Sequence, residues 1–357
     1  MAKTDIEIAG RRPRAGTRGP TVADVARLAG VSPMTVSRVI NSEPNVLPLT
    51  RDKVRTAIAE LSYVPNPAAR SLAGGQQCRI ALLHANPSAA YLSEFLMGSL
   101  AQASLIDVQL IVEHCDVWEP PHALVQRLSA HRVDGVLLPP PLCDDGALLA
   151  ALHAAGLPMA QIATGRPVAF AHALTIDDEL AAHAMTTHLI ALGHRRIGFI
   201  AGAVDQTASA ARRAGYDRAL AEAKLPAALD LVVQGDFTYR SGLSAAEVLL
   251  GLLPRPTAIF ASNDDMAAAA VAVAHRHHLD VPADLSVCGF DDTAMSTTIW
   301  PEITTIHQPV ADMARQATAL LAEAVRGRTA VSDQTAHHVQ LEFKVIHRAS
   351  DGPPRAS

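Results

Sequence analysis

Two hydrophobic rhythms divide this chain. Between residues 21 and 61 apolar positions recur at helical spacing. Val22, Val25, Ala26 and Ala29 form one stripe, Val36, Val39 and Ile40 a second, and Val54, Ile58 and Leu61 a third. The predicted helices carry their own punctuation. Thr21 caps the first, with Asp24 at its third position completing a variant capping box. Gly30 ends it, and Ser32 with Pro33 opens the second. From residue 79 the rhythm changes: continuous apolar runs at 80–83, 108–112, 133–138, 158–162 and 197–201 alternate with helical stretches such as 91–103 and 180–192. A second set of runs follows at 231–233, 258–261 and 285–290. That alternation predicts an α/β body of doubly wound parallel sheets, helices covering both faces.

The second predicted helix turns its valines inward and leaves Met34, Thr35, Ser37, Arg38 and Asn41 outward. A buried face that fixes the angle between two short helices, with a polar face opposite, is what a helix-turn-helix needs to enter a major groove. Charge sharpens the picture. The whole chain is −5, but residues 1–75 hold eleven Lys/Arg against six Asp/Glu, about +5, which leaves about −10 on the remainder. A basic end on an acidic body suits phosphate attraction without a uniformly cationic surface. The four cysteines, Cys78, Cys115, Cys143 and Cys288, have no paired spacing, so neither a disulfide framework nor a zinc site is expected. The tract His275-Arg276-His277-His278 reads as a basic helix end, and His337-His338 as the approach to a strand. No metal or cofactor is expected. No apolar run approaches a membrane span and no signal-peptide core opens the chain, so the expected location is the cytoplasm, at the nucleoid, with no membrane partner. With no phosphate-cradling loop, nucleophile elbow or acid/base pair, the chain does not read as an enzyme.

From Thr21 to Gly74 the parts come in a definite order: the capped reader helix, the Tyr63-Val64-Pro65-Asn66 turn, and the run Ala69-Arg70-Ser71-Leu72-Ala73. This segment resembles the lactose/galactose repressor (LacI/GalR) family of bacterial transcription regulators. The resemblance implies a homodimer on a near-palindromic operator. Met34, Thr35 and Arg38 would touch base edges, and Thr21, Ser32 and Ser37 would hold phosphates. Asn41 would do either, and Pro33 and Met34 fill the positions that vary with operator sequence. In the hinge, Asn66, Arg70 and Ser71 would lie against backbone or groove edges, with Leu72 wedged between base steps.

The resemblance runs through the body to about residue 346 and implies two subdomains like those of periplasmic sugar-binding proteins. The chain would pass between them near Asp177, near His307-Gln308, and near residues 330–336. The expected domains are a basic tail (1–19), a head (20–65), a hinge (66–76), a core (77–346) and a loose tail (347–357). Within the core the first subdomain takes 77–177 and 308–333, the second 178–307 and 334–346. Effector contacts are expected from Arg212, Asn263 and Asp291, with Phe237 stacking, Gln308 at the second passage, and Tyr91 and Asn86 from the first subdomain. Asp177-Asp178 stands where the family more often has Asp-Asn. The alternatives stay open: Arg212 on the surface with Arg213 facing in, or Asn263 and Asp264 as mere caps of the helix starting at Met266. Function is read as repression of carbohydrate-utilisation genes under control of a sugar or sugar acid. The other readings are a purine- or metabolite-responsive corepressor type, or a sugar-modifying enzyme with a fused DNA-binding head.

Overall fold

A computed structural model of the chain describes residues 20–40, 46–63, 78–116, 119–226, 228–327 and 336–355. The chain divides into two compact units, residues 1–76 and 77–357. Asn41, Asn66, Arg70, Ser71 and Leu72, with the segments 1–19 and 64–77, lie outside the described residues.

In the first unit α1 (Val22–Ala29), α2 (Pro33–Ile40) and α3 (Pro48–Glu60) follow the apolar stripes closely. The capping box at Thr21 is reciprocal: Thr21 N donates to Asp24 Oδ2 at 2.9 Å, and Asp24 N donates to Thr21 Oγ1 at 3.4 Å. Gly30 takes φ 68°, a left-handed turn that costs glycine little. Thr35 N then donates to Ser32 Oγ at 3.1 Å, opening α2. Val25, Val36, Val39, Val54, Ala57 and Tyr63 are buried together where the three helices meet. Each valine in that small core contributes about 1.5–3 kcal/mol.

The second unit holds two parallel sheets. The first has the order β11-β5-β4-β3-β1-β2, from β1 (Cys78–His84), β2 (Val108–His114), β3 (Gly135–Leu138), β4 (Met159–Ile162), β5 (His172–Thr175) and β11 (His338–Gln340). The second has the order β7-β6-β8-β9, from β6 (Ile197–Ala201), β7 (Val232–Gln234), β8 (Ala258–Ala261) and β9 (Ser286–Cys288). An antiparallel pair, β10 (Thr305–His307) with β12 (Lys344–Ile346), completes the strands described. Helices α4 (Ala89–Leu105), α5 (Pro121–Ala130), α6 (Gly146–Ala154) and α12 (Val310–Gly327) accompany the first sheet. Helices α7 (Asp178–Ala191), α8 (Thr207–Glu222), α9 (Tyr239–Leu250), α10 (Asp264–Arg276) and the short α11 (Met295–Thr298) accompany the second. Helices α7 and α8 cross closely, and a Cβ on Gly215 would lie 2.1 Å from the Glu179 carbonyl oxygen. Among the described residues no helix is long and apolar enough to cross a membrane.

Two expectations need correction. Strand β11 pairs with β5 in the first sheet, Val339 opposite Leu174, whereas β12 pairs with β10. The chain therefore makes its last passage between Gln340 and Lys344, not at 330–336, and residues 338–340 belong to the first subdomain. The segment expected as a loose tail from 347 is packed as far as residue 355. Val287 N donates to the Ser350 carbonyl at 2.8 Å, Ser350 Oγ donates to the Val287 carbonyl at 2.5 Å, and Thr304 N donates to Ser350 Oγ at 2.9 Å. Hydrogen bonds from the Ser350 main chain and hydroxyl to main-chain groups at the edge of the second sheet hold this segment, so its lack of large apolar residues does not free it.

Candidate functional site

On the head, Ser32, Pro33, Met34 and Arg38 are exposed along α2, and Thr35 and Ser37 are half-buried beside them. Met34 is 64% exposed although Val36 and Val39 on the opposite side are buried. The helix thus presents a mixed polar and soft apolar surface. Thr21 is exposed at the start of α1, where the positive end of the helix dipole favours anions.

In the body, topology dictates where a ligand can sit. The order of strands reverses between β1 and β3 in the first sheet, and between β6 and β8 in the second. Crevices open off the carboxyl ends of strands at such switch points. Here both open onto one cleft, lined from the first subdomain by Asn86, Ser88, Tyr91, Pro140 and Ala163, and from the second by Gln206, Arg212, Phe237, Asn263 and Asp291, with Gln308 at the passage. The cavity measures about 30 Å³, against the several hundred of an ordinary ligand pocket. Direct bonds hold the walls together: Ser88 Oγ to Asp265 Oδ2 at 2.5 Å, and Thr207 N and Oγ1 to Asp144 Oδ2, both at 2.8 Å.

All seven expected effector residues line this cleft, and Arg212 faces inward with 3% exposure. Arg213 instead pairs with Asp217 at 2.7 Å on the partly exposed side of α8. Arg212 is held on several sides. Nε donates to Asp178 Oδ1 at 2.8 Å, Nη1 to the Ser262 carbonyl at 2.5 Å, and Nη2 to Gln308 Oε1 at 3.4 Å. Its guanidinium lies 3.5 Å from the centroid of the Phe290 ring, a cation–π contact, and Asp291 Oδ1 is 3.6 Å from Nη1. Asn263 is the helix cap that the sequence left open as the alternative: Oδ1 accepts from Met266 N at 3.0 Å, and Nδ2 donates to the Phe237 carbonyl at 2.9 Å. Asn86 bridges the loops after β1 and β3, with Nδ2 donating to the Pro140 carbonyl at 3.1 Å.

Ala163, Phe237 and Asp291 all carry positive φ, at 56°, 67° and 103°. Non-glycine residues in that region are strained, and here they gather at one site. Burial drives the Asp291 carboxyl well above the usual carboxylate range, with the Arg212 guanidinium opposing the shift. Burial also raises Asp178, again against Arg212. Among the described residues Tyr91 Oη, Ser262 Oγ and Asp291 Oδ1 are buried without a hydrogen-bond partner. Buried polar atoms of that kind call for explanation, and two of them, Tyr91 Oη and Asp291 Oδ1, belong to residues lining the cleft, which points to a ligand.

Asp178 and Phe290 are the site residues that spacing did not reveal. Asp178 lies 34 positions from the arginine it pairs with. Its only signal was the departure from Asp-Asn; Phe290 left none beyond adjoining Asp291.

A helix-turn-helix head followed by a two-sheet body with a shared cleft defines a regulator that uses one part for DNA and another for a small molecule. The comparisons agree. Residues 21–66 match the bacterial regulatory proteins of the lacI family, and residues 186–350 match the periplasmic binding protein-like domain. Catabolite control protein A of Priestia megaterium is 33% identical over 326 residues, covering 91% of this chain and 98% of that protein. The solved complex of the transcriptional regulator CelR with cellobiose matches with TM-score 0.70 and 33% identity, covering 93% of this chain and 99% of that one. The lac repressor dimer bound to operator and the anti-inducer ONPF also gives 0.70, with 28% identity over 93% of this chain and 99% of that one. The chain belongs to the lacI family: it is a DNA-binding transcriptional regulator with an effector-binding core, and not an enzyme.

Proposed function

We propose that this regulator is a cytoplasmic, dimeric repressor of carbohydrate-utilisation genes whose effector is a neutral polyhydroxylated molecule, a sugar. The observation that carries the reading is the charge balance around Arg212. One buried guanidinium faces two carboxyl groups: it bonds Asp178 and lies beside Asp291. A sugar acid would add an anion to a site whose one cation is already paired with Asp178, in a low-dielectric cleft where like charges repel strongly. A neutral sugar adds none. Its hydroxyls would donate to Asp291 Oδ1 and exchange a hydrogen bond with Tyr91 Oη, meeting cleft-lining atoms now unpaired. Phe237 supplies an apolar ring for the sugar's C–H face. The cellobiose bound by CelR is a ligand of this class.

Operator contact follows the exposed side of α2: Met34, Thr35 and Arg38 on base edges, and Ser32, Ser37 and Thr21 on phosphates. Support for a dimer comes from the exposed Met97 and Leu100, one helical turn apart on α4, and from the dimeric state of the lac repressor complex. Ser88–Asp265 and Asp144–Thr207 tie the two walls across the narrow cleft, and entry of a sugar would have to loosen them. Its arrival therefore rearranges the subdomains, and that rearrangement is what would alter operator affinity.

The test is a thermal-shift screen of the purified chain against neutral sugars, sugar acids and purines, with Asp291→Asn as control. The reading expects a neutral sugar to stabilise the wild type by about 2.7 kcal/mol at a concentration of roughly 100 Kd, and to leave the variant unshifted. A response to sugar acids or purines alone would overturn it.

A further inference from the structure

We infer that the second subdomain carries a site for a borderline divalent metal ion, of the zinc, cobalt or nickel type, built from His188, His347 and Asp351. Each of these side chains offers one ligand atom, and the three atoms lie within 4.8 Å of one another. His188 Nε2 and Asp351 Oδ2 are 2.6 Å apart, and the His188 and His347 rings sit 4.5 Å apart, centroid to centroid. Two imidazoles and a carboxylate are the donor set of a three-ligand zinc site, and too poor in oxygen for calcium or magnesium.

The surroundings prepare the three groups for a cation. His188 lies in the last turn of α7, the negative end of that helix dipole. The other oxygen of Asp351 accepts from Thr304 Oγ1, which fixes the carboxylate as the outer hydrogen bonds of metal sites do. Thr304 Oγ1 in turn accepts from Arg348 N at 2.8 Å, tying ligand and support to one rigid segment. The neighbouring guanidinium does not compete, because Arg348 Nη2 is bonded to Asp292 at 2.5 Å and Nη1 to the Ile303 carbonyl at 2.8 Å. Asp351 is 7% exposed and His188 23%, whereas His347 is exposed, so an ion would enter from the His347 side and keep water on its open positions.

On zinc, bonds of about 2.0–2.2 Å set neighbouring ligand atoms roughly 3.3 Å apart. Occupancy thus needs the His188–Asp351 hydrogen bond to lose its proton and widen slightly, with the His347 ring swinging inward. The site is separate from the effector cleft. Ten residues of α7 part His188 from Asp178, a rise of about 15 Å. A bound ion would staple the segment 347–355 to the end of α7.

The test uses the full chain, stripped with EDTA and titrated with Zn²⁺ and Co²⁺. The expected result is one tightly bound ion per chain, a raised Tm, and visible absorption from four-coordinate Co²⁺. In His347→Ala, where the lost ring is exposed and the EDTA-treated fold is checked by its melt, Zn²⁺ affinity falls about a hundredfold and the cobalt band disappears. Asp351→Asn gives the same loss of the band. Failure of the folded wild type to bind either ion would overturn the proposal. So would binding that survives both substitutions, since other histidine pairs, such as His84 with His114, would then be the ligands.

Discussion

The wall of the cleft supplied by the second subdomain carries Arg212, Asp178, Asn263 and Asp291, whereas the first subdomain offers Asn86, Ser88, Tyr91, Pro140 and Ala163. One wall is a charge cluster fixed in place by hydrogen bonds and an aromatic ring. The other is nearly neutral, and its polar groups mostly bridge its own loops or reach across to the facing wall. The difference separates two tasks. A ligand's orientation is set by the preorganised cluster, where geometry cannot relax without leaving a buried charge unpaired. On the proposed reading the neutral wall would close over it, and Ser88, which now donates to Asp265, would change partners.

Substitutions break this comparison unequally. The largest loss is expected for Arg212→Ala, which strands Asp178 and Asp291 in a buried site; about 3–5 kcal/mol of stability should go, read from urea melts of the isolated variant. Next comes Asp264, in the first turn of α10, which accepts from Thr293 N at 2.7 Å and from Thr305 Oγ1 at 2.6 Å. Burial raises its pKa from 3.8 to about 7, with those hydrogen bonds opposing and Asp292 adding to the rise. The folded state therefore holds this proton between those two values while the unfolded chain has released it, so this group's contribution falls as pH rises through that window and levels off above it. Wild type should lose on the order of 2–3 kcal/mol between pH 5 and 8 from this group, and Asp264→Asn should flatten that part of the pH–stability curve. Melts across the pH range decide it.

Gly202→Ala should follow. A Cβ there would lie 2.0 Å from the Phe237 ring, so the ring must leave its place in the charged wall. About 1–3 kcal/mol of stability and most of the sugar response should be lost together, visible in thermal shifts with and without ligand. The smallest effect is reserved for the neutral wall. Tyr91→Phe removes a buried hydroxyl that has no partner among the described residues, so the melting point should hold or rise slightly. Calorimetry should then show sugar affinity weakened by about 1 kcal/mol, the value of one hydrogen bond. A variant as crippled as Arg212→Ala would erase the distinction between the walls.

The sequence made parts of this plain and hid others for physical reasons. Strands such as 80–83 and 258–261 are buried on both faces, so they read as unbroken apolar runs. By contrast β5, β10, β11 and β12 are three or four residues long and mix His, Thr, Gln and Lys with only one or two apolar positions, too few to make a pattern. Caps and turns in the head were legible because they are local; Thr21, Asp24, Gly30 and Ser32 act within four residues of themselves. Arg212 was legible through resemblance, but its partner Asp178 and the packing of Ser350 against Val287 depend on contacts dozens of residues apart. The same holds for His188 and Asp351, separated by 163 positions. No spacing rule spans such distances.

The central claim is that ligand in the cleft controls the grip of the head on DNA. Its most direct test is the affinity of the full chain for a duplex the chain itself has selected from a random pool, measured with and without the stabilising sugar, in wild type and Asp291→Asn. The account predicts that the sugar shifts wild-type affinity by about 5–150-fold and leaves the variant unmoved. Saturation of the cleft with no change in operator affinity would contradict it.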